Sequence, residues 1–202
     1  MGKTKREMKR NNSRTAASLK IILVGEGGQG IQSVAKILSR AAFGQKYHAS
    51  YIPNFGTEQR GGISLSFVQI SHRPIVSPKF KYADLFVIVL NRDIDRILRY
   101  ISPQTHVLYD TDLLKKSTVG KISQRSQNIL PIPAFHEATT TFSERSFNVI
   151  ILGILTGLVD KKLRRAVITG MDTKFEKYYK KDASLEKMNH AAFETGFKMT
   201  RN

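Results

Sequence analysis

The 202-residue chain contains no cysteine. A disulfide framework, a thiolate nucleophile and a cysteine-bound iron–sulfur cluster are therefore excluded within this polypeptide. No apolar run reaches the roughly 18 residues that a membrane span needs. The longest, "FNVIILGILTGLV", Phe147 to Val159, reads as a buried helix. The N-terminal stretch has no apolar segment of the kind a secretory signal carries, so the expected location is cytoplasmic. Acidic residues are scarce, 16 against 33 Lys and Arg, which leaves a formal net charge of +17. Such a charge attracts polyanions and says nothing of fold. The arginine–aromatic interleaving expected for single-stranded nucleic acid is not evident. A basic, solvated surface is preferred to nucleic-acid binding as the reading of this charge.

Other signatures are missing too. There is no G-x-S-x-G nucleophile elbow and no H-E-x-x-H zinc motif. The histidines, His48, His72, His106, His136 and His190, show no metal-ligand spacing. Neither a catalytic residue nor a metal ligand is assigned in this chain.

What is present is a soluble-protein composition, with 41% hydrophobic residues to form a core. Met1 to Ser18 carries six Lys or Arg against one Glu and few large apolar residues. It is expected to be a disordered basic tail. Residues 19–202 are expected to form one α/β domain. Lys20 to Val24 is a short apolar run, as in a strand covered on both faces. Ile31, Val34, Ala35, Leu38, Ala41 and Ala42 then share a helical face, with Gly44 placed to end the helix. Further strands are expected at His48 to Pro53, Ile63 to Ile70, Leu85 to Leu90, Thr105 to Asp110 and Asn128 to Pro133. The alternation Ile63, Leu65, Phe67 slips phase at Val68, which implies a bulge or a strand covered on both sides. Asn91 is a possible N-cap for a helix carrying Ile94, Ile97, Leu98 and Ile101. Ser143 to Val159 and Ser184 to Phe197 read as helices, the first apolar nearly all round, the second stopping near Gly196. Strands alternating with helices predict a Rossmann-like three-layer α/β domain with a central mixed or mostly parallel sheet.

Two glycine-rich stretches carry the functional signal. In "GEGGQG", Gly25, Gly27 and Gly30 fit G-x-G-x-x-G between a strand and a helix. Backbone N–H groups there favour an anion, and glycines let a phosphate approach. The alternative is a tight turn that only permits close helix–sheet packing. A standard nicotinamide site is disfavoured. The acid expected about 20 residues on is absent from "HASYIPNF", and Glu26 places a negative charge in the loop itself. The second stretch is "PNFGTEQRGGISLS". Gly56, Gly61 and Gly62 bracket Glu58 and Arg60. A guanidinium on such a loop suits a carboxylate or phosphate. The alternative is a Glu58–Arg60 or interdomain ion pair.

Together these stretches resemble the gamma subunit, or gamma domain, of the 2-oxoacid:ferredoxin (acceptor) oxidoreductases. Gly25, Gly27, Gly28, Gln29 and Gly30 match that family's first loop. Gly56, Glu58, Arg60, Gly61 and Gly62 match its second. Ser77, Pro78, Ala83 and Asp84, then Asn148, Leu152 and Gly153, then Asn189, Ala192, Phe193 and Gly196, match later elements. The resemblance spans about Leu19 to Phe197 and does not account for the basic tail.

It implies a complex that decarboxylates a 2-oxoacid oxidatively to an acyl-CoA, or runs in reverse, using thiamine diphosphate, magnesium and iron–sulfur clusters. Pyruvate, 2-oxoglutarate, branched-chain oxoacids and indolepyruvate all fit. The gamma domain is associated there with coenzyme A binding and with packing on the catalytic chains. This chain has no G-D-G motif for thiamine diphosphate, and Asn11-Asn12 lies in the tail. No cofactor is expected to bind this chain alone. Alpha and beta subunits and a ferredoxin-type chain are the expected partners, together with coenzyme A. The backbone amides of Gly27 to Gly30 and the Arg60 side chain are expected to line one anionic or interdomain site, for which coenzyme A, with its phosphates, is a suitable ligand. Gln29 would orient a polar ligand group or the neighbouring loop, and Glu58 would orient Arg60. The rival reading is a freestanding Rossmann-like nucleotide- or nucleic-acid-binding protein.

Overall fold

The central strand is β1, Ser18–Glu26, in which Ile21, Ile22, Leu23 and Val24 are wholly buried. Both of its faces are covered, which is why the run is continuously apolar. The computed structural model describes residues 18–55, 62–90 and 94–200. The expected tail therefore lies outside the described residues, except for Ser18, which already belongs to β1.

Helix α1, Ile31–Gly44, follows β1 and buries the expected stripe from Ile31 to Ala42. The chain returns through β2, His48–Phe55, and β3, Ile63–Ser71. Then come β4, Leu85–Ile88, β5, His106–Asp110, and β6, Ile129–Ile132. The sheet order is β2-β3-β1-β4-β5-β6. β1, β4, β5 and β6 are parallel to their neighbours in that run, whereas β3 is antiparallel to both β1 and β2. The sheet is thus mixed. Register between β1 and β3 is unbroken from Ser18 opposite Ser71 to Glu26 opposite Ile63. The phase slip at Val68 marks burial on both faces rather than a bulge, since Ser64 to Ser71 are all buried.

The remaining helices are α2, Lys116–Ser123; α3, Ala134–Thr141; α4, Phe147–Val159; α5, Arg164–Tyr179; and α6, Ser184–Lys198. One face of the sheet, with Ile21, Leu23, Val68, Ile70 and Val87, packs on α1, α3, α4, α5 and α6. The other face, with Ile22, Val24, Phe67, Phe86 and Ile88, is covered by the 94–101 segment and by α2. This is a Rossmann-like three-layer α/β arrangement with a thick helical layer on one side. Among the described residues, no helix is long and apolar enough to cross a membrane.

One expectation needs correction. The segment after β4 is not an α-helix. Ile94, Ile97, Leu98 and Ile101 are buried, as their spacing implied, but on turns and a single 3₁₀ turn, Leu98–Tyr100. A turn closes directly behind it: the Ser102 N–H donates to Thr105 Oγ1 and the Thr105 N–H to the Ser102 carbonyl. So short a segment gains little from helix propagation, and burial of its four anchors decides its path. Asn91 lies outside the described residues. Gly196 lies near the end of α6, as expected, and the helix stops at Lys198. A side chain at Gly196 would collide with the Ile150 carbonyl, and one at Gly153 with the Phe193 carbonyl. These glycines bring the backbones of α4 and α6 into contact. The apolar helix α4 is accordingly a core element.

Candidate functional site

The glycine loop emerges at the carboxyl end of β1. Its Gly25 and Glu26 still pair with Ser64 and Ile63 of β3, and Gly27 to Gln29 then turn the chain into α1. The loop is shaped from within. Gln29 Oε1 accepts the Glu26 N–H at 2.7 Å, and the Gln29 N–H donates to the Glu26 carbonyl at 3.2 Å. Gln29 therefore uses its side-chain carbonyl on its own loop.

The glycines differ in what they do. Gly25 is required for space, because a Cβ there would meet Ile31 Cγ1 at 2.6 Å and Gln29 Oε1 at 2.7 Å. Gly28 is required for conformation: its φ is 104° and the surrounding space is open. Gly30 answers both demands. Its φ is 75°, and a Cβ would strike the amide of Asn148, in the first turn of α4. Left-handed backbone of this kind disfavours any side chain.

Gly27 and Gly28 are exposed. Gly30 caps α1 without a side-chain hydrogen bond, and the first turn of α1 carries no acidic residue. The helix end thus presents backbone N–H groups and a positive dipole end, with Glu26 the acid of the preceding loop.

Antiparallel pairing of β3 with β1 brings the second glycine stretch to the same place. Because Ile63 lies opposite Glu26, the chain entering β3 runs beside the first loop, and the Gly27 N–H donates to the Gly62 carbonyl at 3.2 Å. Gly62 is buried there. Gly56, Glu58, Arg60 and Gly61 lie outside the described residues.

The strongest polar hub near the site escaped the sequence reading. Gln32, in the first turn of α1, makes four hydrogen bonds. Its Nε2 donates to Ser64 Oγ at 2.7 Å and to the Leu65 carbonyl at 2.9 Å. Its Oε1 accepts from Tyr51 at 2.6 Å and Ser66 at 2.7 Å. All four capacities of the amide are used. The hub ties the start of α1 to β2 and β3, just behind the glycine loop. Burial pushes the Tyr51 hydroxyl pKa up, so it stays a donor. Ser64 and Ser66, the polar positions between Ile63, Leu65 and Phe67, are both buried. The signal that would have found the hub is a glutamine one residue after the first apolar position of the helix, together with two serines on the strand expected to pack beneath it.

Two carboxylates near strand ends are structural. Asp110, wholly buried at the end of β5, accepts N–H bonds from Asp112, Leu113 and Phe135. Burial raises its pKa, and those three donors oppose the rise. Asp84 Oδ2 accepts the Lys20 N–H at 2.8 Å, and its own N–H donates to the Lys20 carbonyl, which fastens the approach to β4 onto β1.

Residues 20–199 match the family described as pyruvate ferredoxin/flavodoxin oxidoreductase. Ketoisovalerate oxidoreductase subunit VorA of Methanothermobacter thermautotrophicus is 30% identical over 154 residues, covering 74% of this chain. The chain spans only about a third of that relative's length (31%). 2-Oxoglutarate synthase subunit KorC of Methanocaldococcus jannaschii is 28% identical over 197 residues, covering 95% of this chain and 98% of that one. Among solved structures, the 2-oxoglutarate:ferredoxin oxidoreductase of Magnetococcus marinus, with 2-oxoglutarate, coenzyme A and succinyl-CoA bound, superposes with a TM-score of 0.79. It is 23% identical, and the match covers 93% of this chain and 32% of that one, a likeness of fold.

Proposed function

The chain belongs to the pyruvate ferredoxin/flavodoxin oxidoreductase family as a gamma-type chain, and on that premise we propose that it is the non-redox gamma subunit of a cytoplasmic 2-oxoacid:ferredoxin oxidoreductase complex. In this reading the complex converts a 2-oxoacid to an acyl-CoA, or the reverse. The chain contributes to holding coenzyme A and packs against alpha, beta and ferredoxin-type chains. The observation that carries the reading is the joining of the two glycine stretches through Gly27 and Gly62 at an uncapped helix end.

The residues present fit one cofactor of such a complex and not the others. Coenzyme A carries phosphates. The exposed backbone of Gly27 and Gly28 admits a phosphate closely, and the start of α1 favours its charge. Arg60 would add a guanidinium from the second loop, and Glu58 would orient it. Iron–sulfur clusters need thiolates, which the chain lacks altogether. Thiamine diphosphate has no recognisable motif here either. These groups would reside on partner chains, and this chain alone would be inactive. Coenzyme A bound in the Magnetococcus marinus relative supports the ligand class.

The test is coenzyme A titration of a reconstituted complex carrying Arg60→Ala. Weaker coenzyme A binding or impaired assembly is expected. Unchanged affinity together with unchanged assembly would overturn the assignment. Recovery of the chain as a stable monomer that shifts on RNA would favour the freestanding reading instead.

A further inference from the structure

The histidine spacing along the sequence suggests no metal site, but the fold assembles a mixed donor set from two helices. Glu186 and His190 are four residues apart on α6 and so share a face. Asp172 comes from α5. One donor atom from each of the three lies within 4.8 Å of the others. His190 Nε2 and Asp172 Oδ1 are 2.7 Å apart.

We propose that Asp172, Glu186 and His190 form a divalent-cation site that clamps α5 to α6.

The local charge balance argues for it. In so basic a chain, several carboxylates meet lysine or arginine: Glu176 with Lys180, Asp95 with Lys121, Glu194 with Arg164. Here two carboxylates converge on an imidazole instead. Their joint field also reaches the Tyr179 hydroxyl, whose pKa is raised by burial and, further, by Asp172 and Glu186. A cation between them removes that repulsion. One imidazole nitrogen and two carboxylate oxygens suit Zn²⁺ or another first-row divalent ion better than Mg²⁺ or Ca²⁺, which favour all-oxygen shells.

The side chains must adjust locally, since donor atoms that lie within 4.8 Å of one another have to close on one ion. Ligand bonds of about 2.0–2.2 Å at tetrahedral angles hold two donors roughly 3.3–3.5 Å apart. The His190–Asp172 hydrogen bond must therefore open by under about 1 Å, the ion replacing the proton they share. The side chains of His190 and Asp172 are 39% and 32% exposed. Water can complete the shell from the open side, and the ion needs no buried path. Such an ion would pin the α5–α6 hairpin across its short turn.

The experiment uses the full chain, free of any affinity tag and stripped with EDTA, titrated with Zn²⁺ by calorimetry and followed by thermal unfolding. One Zn²⁺ per chain and a rise in Tm reversed by EDTA are expected. Asp172→Asn keeps a hydrogen-bonding partner for His190, and its Tm without metal verifies the fold. Asp172→Asn and His190→Gln should each weaken Zn²⁺ binding about tenfold or more and abolish the Tm rise. Failure of the wild-type chain to bind one Zn²⁺, or variants that bind it as tightly as wild type, would overturn the proposal.

Discussion

The N–H of Gly27 donates to the carbonyl of Gly62, 35 positions further along, at 3.2 Å. That bond joins the two glycine stretches at the carboxyl end of β1. It exists because β3 runs antiparallel to β1 with Ile63 opposite Glu26. The residues behind and around it lead to separate experiments.

Gln32 should be the most sensitive polar residue of the region. Gln32→Ala removes the acceptor for Tyr51 and Ser66 and the donor to Ser64 and the Leu65 carbonyl. Buried polar groups left without partners make a loss of about 2–4 kcal/mol the expected outcome in urea unfolding. Ser66→Ala removes a single bond and should cost about 1 kcal/mol. Equal losses in the two variants would mean that the amide is not the hub.

Gly28 and Gly30 should respond differently to alanine. Gly28→Ala meets open space, so only its left-handed backbone is penalised, by about 1–2 kcal/mol. Gly30→Ala adds a collision with the Asn148 amide and should cost more. Shortening Asn148 to alanine in the same chain should recover part of that extra loss. Thermal unfolding of the two single variants and the double variant measures it.

Gly196→Ala should destabilise the packing of α4 on α6. The new methyl group is directed at the Ile150 carbonyl, which is helix backbone and has no rotamer to escape into. Overpacking of this kind costs about 1–3 kcal/mol, and the larger side chain of Gly196→Val should exceed Gly196→Ala. Gly44→Ala, where nothing lies within contact distance, is the control.

Tyr47 should give the fold a specific alkaline signature. Its hydroxyl donates to Asp160 at 2.6 Å, and burial together with that carboxylate lifts its pKa from 10.0 to about 12. Between about pH 10 and pH 12 the unfolded chain has released this proton and the folded chain has not, so stability falls as pH rises through that window. Below pH 10 both states hold the proton and the group contributes no slope. Stability measured against pH should therefore fall less steeply above pH 10 in Tyr47→Phe than in wild type. Parallel curves would refute the assignment.

Much of this molecule was readable from one dimension. β1 and α1 carry strong periodic signals, a wholly apolar strand and then a stripe repeating every three or four residues, and both appear where expected. The two glycine stretches stood out because few environments demand so many residues without side chains. Other elements left weaker traces. α5 fully buries only Val167 and Met171, the rest of its residues being half-buried or exposed, so no apolar stripe announced it. Ile94 to Ile101 showed the helical repeat yet folds as turns, because burial of the same residues is satisfied by a shorter path.

What the sequence determined by itself was the α/β class, the glycine loop at the end of the first strand and the family, since these depend on local period, on missing side chains and on residue identity. What only the tertiary structure decided was which distant residues meet: Gly27 with Gly62, Gln32 with Tyr51 and Ser66, Gly196 with Ile150, His190 with Asp172. Those encounters follow from strand order, strand direction and helix packing. Direction and packing are set by burial summed over the whole sheet, and no local stretch of residues contains that sum.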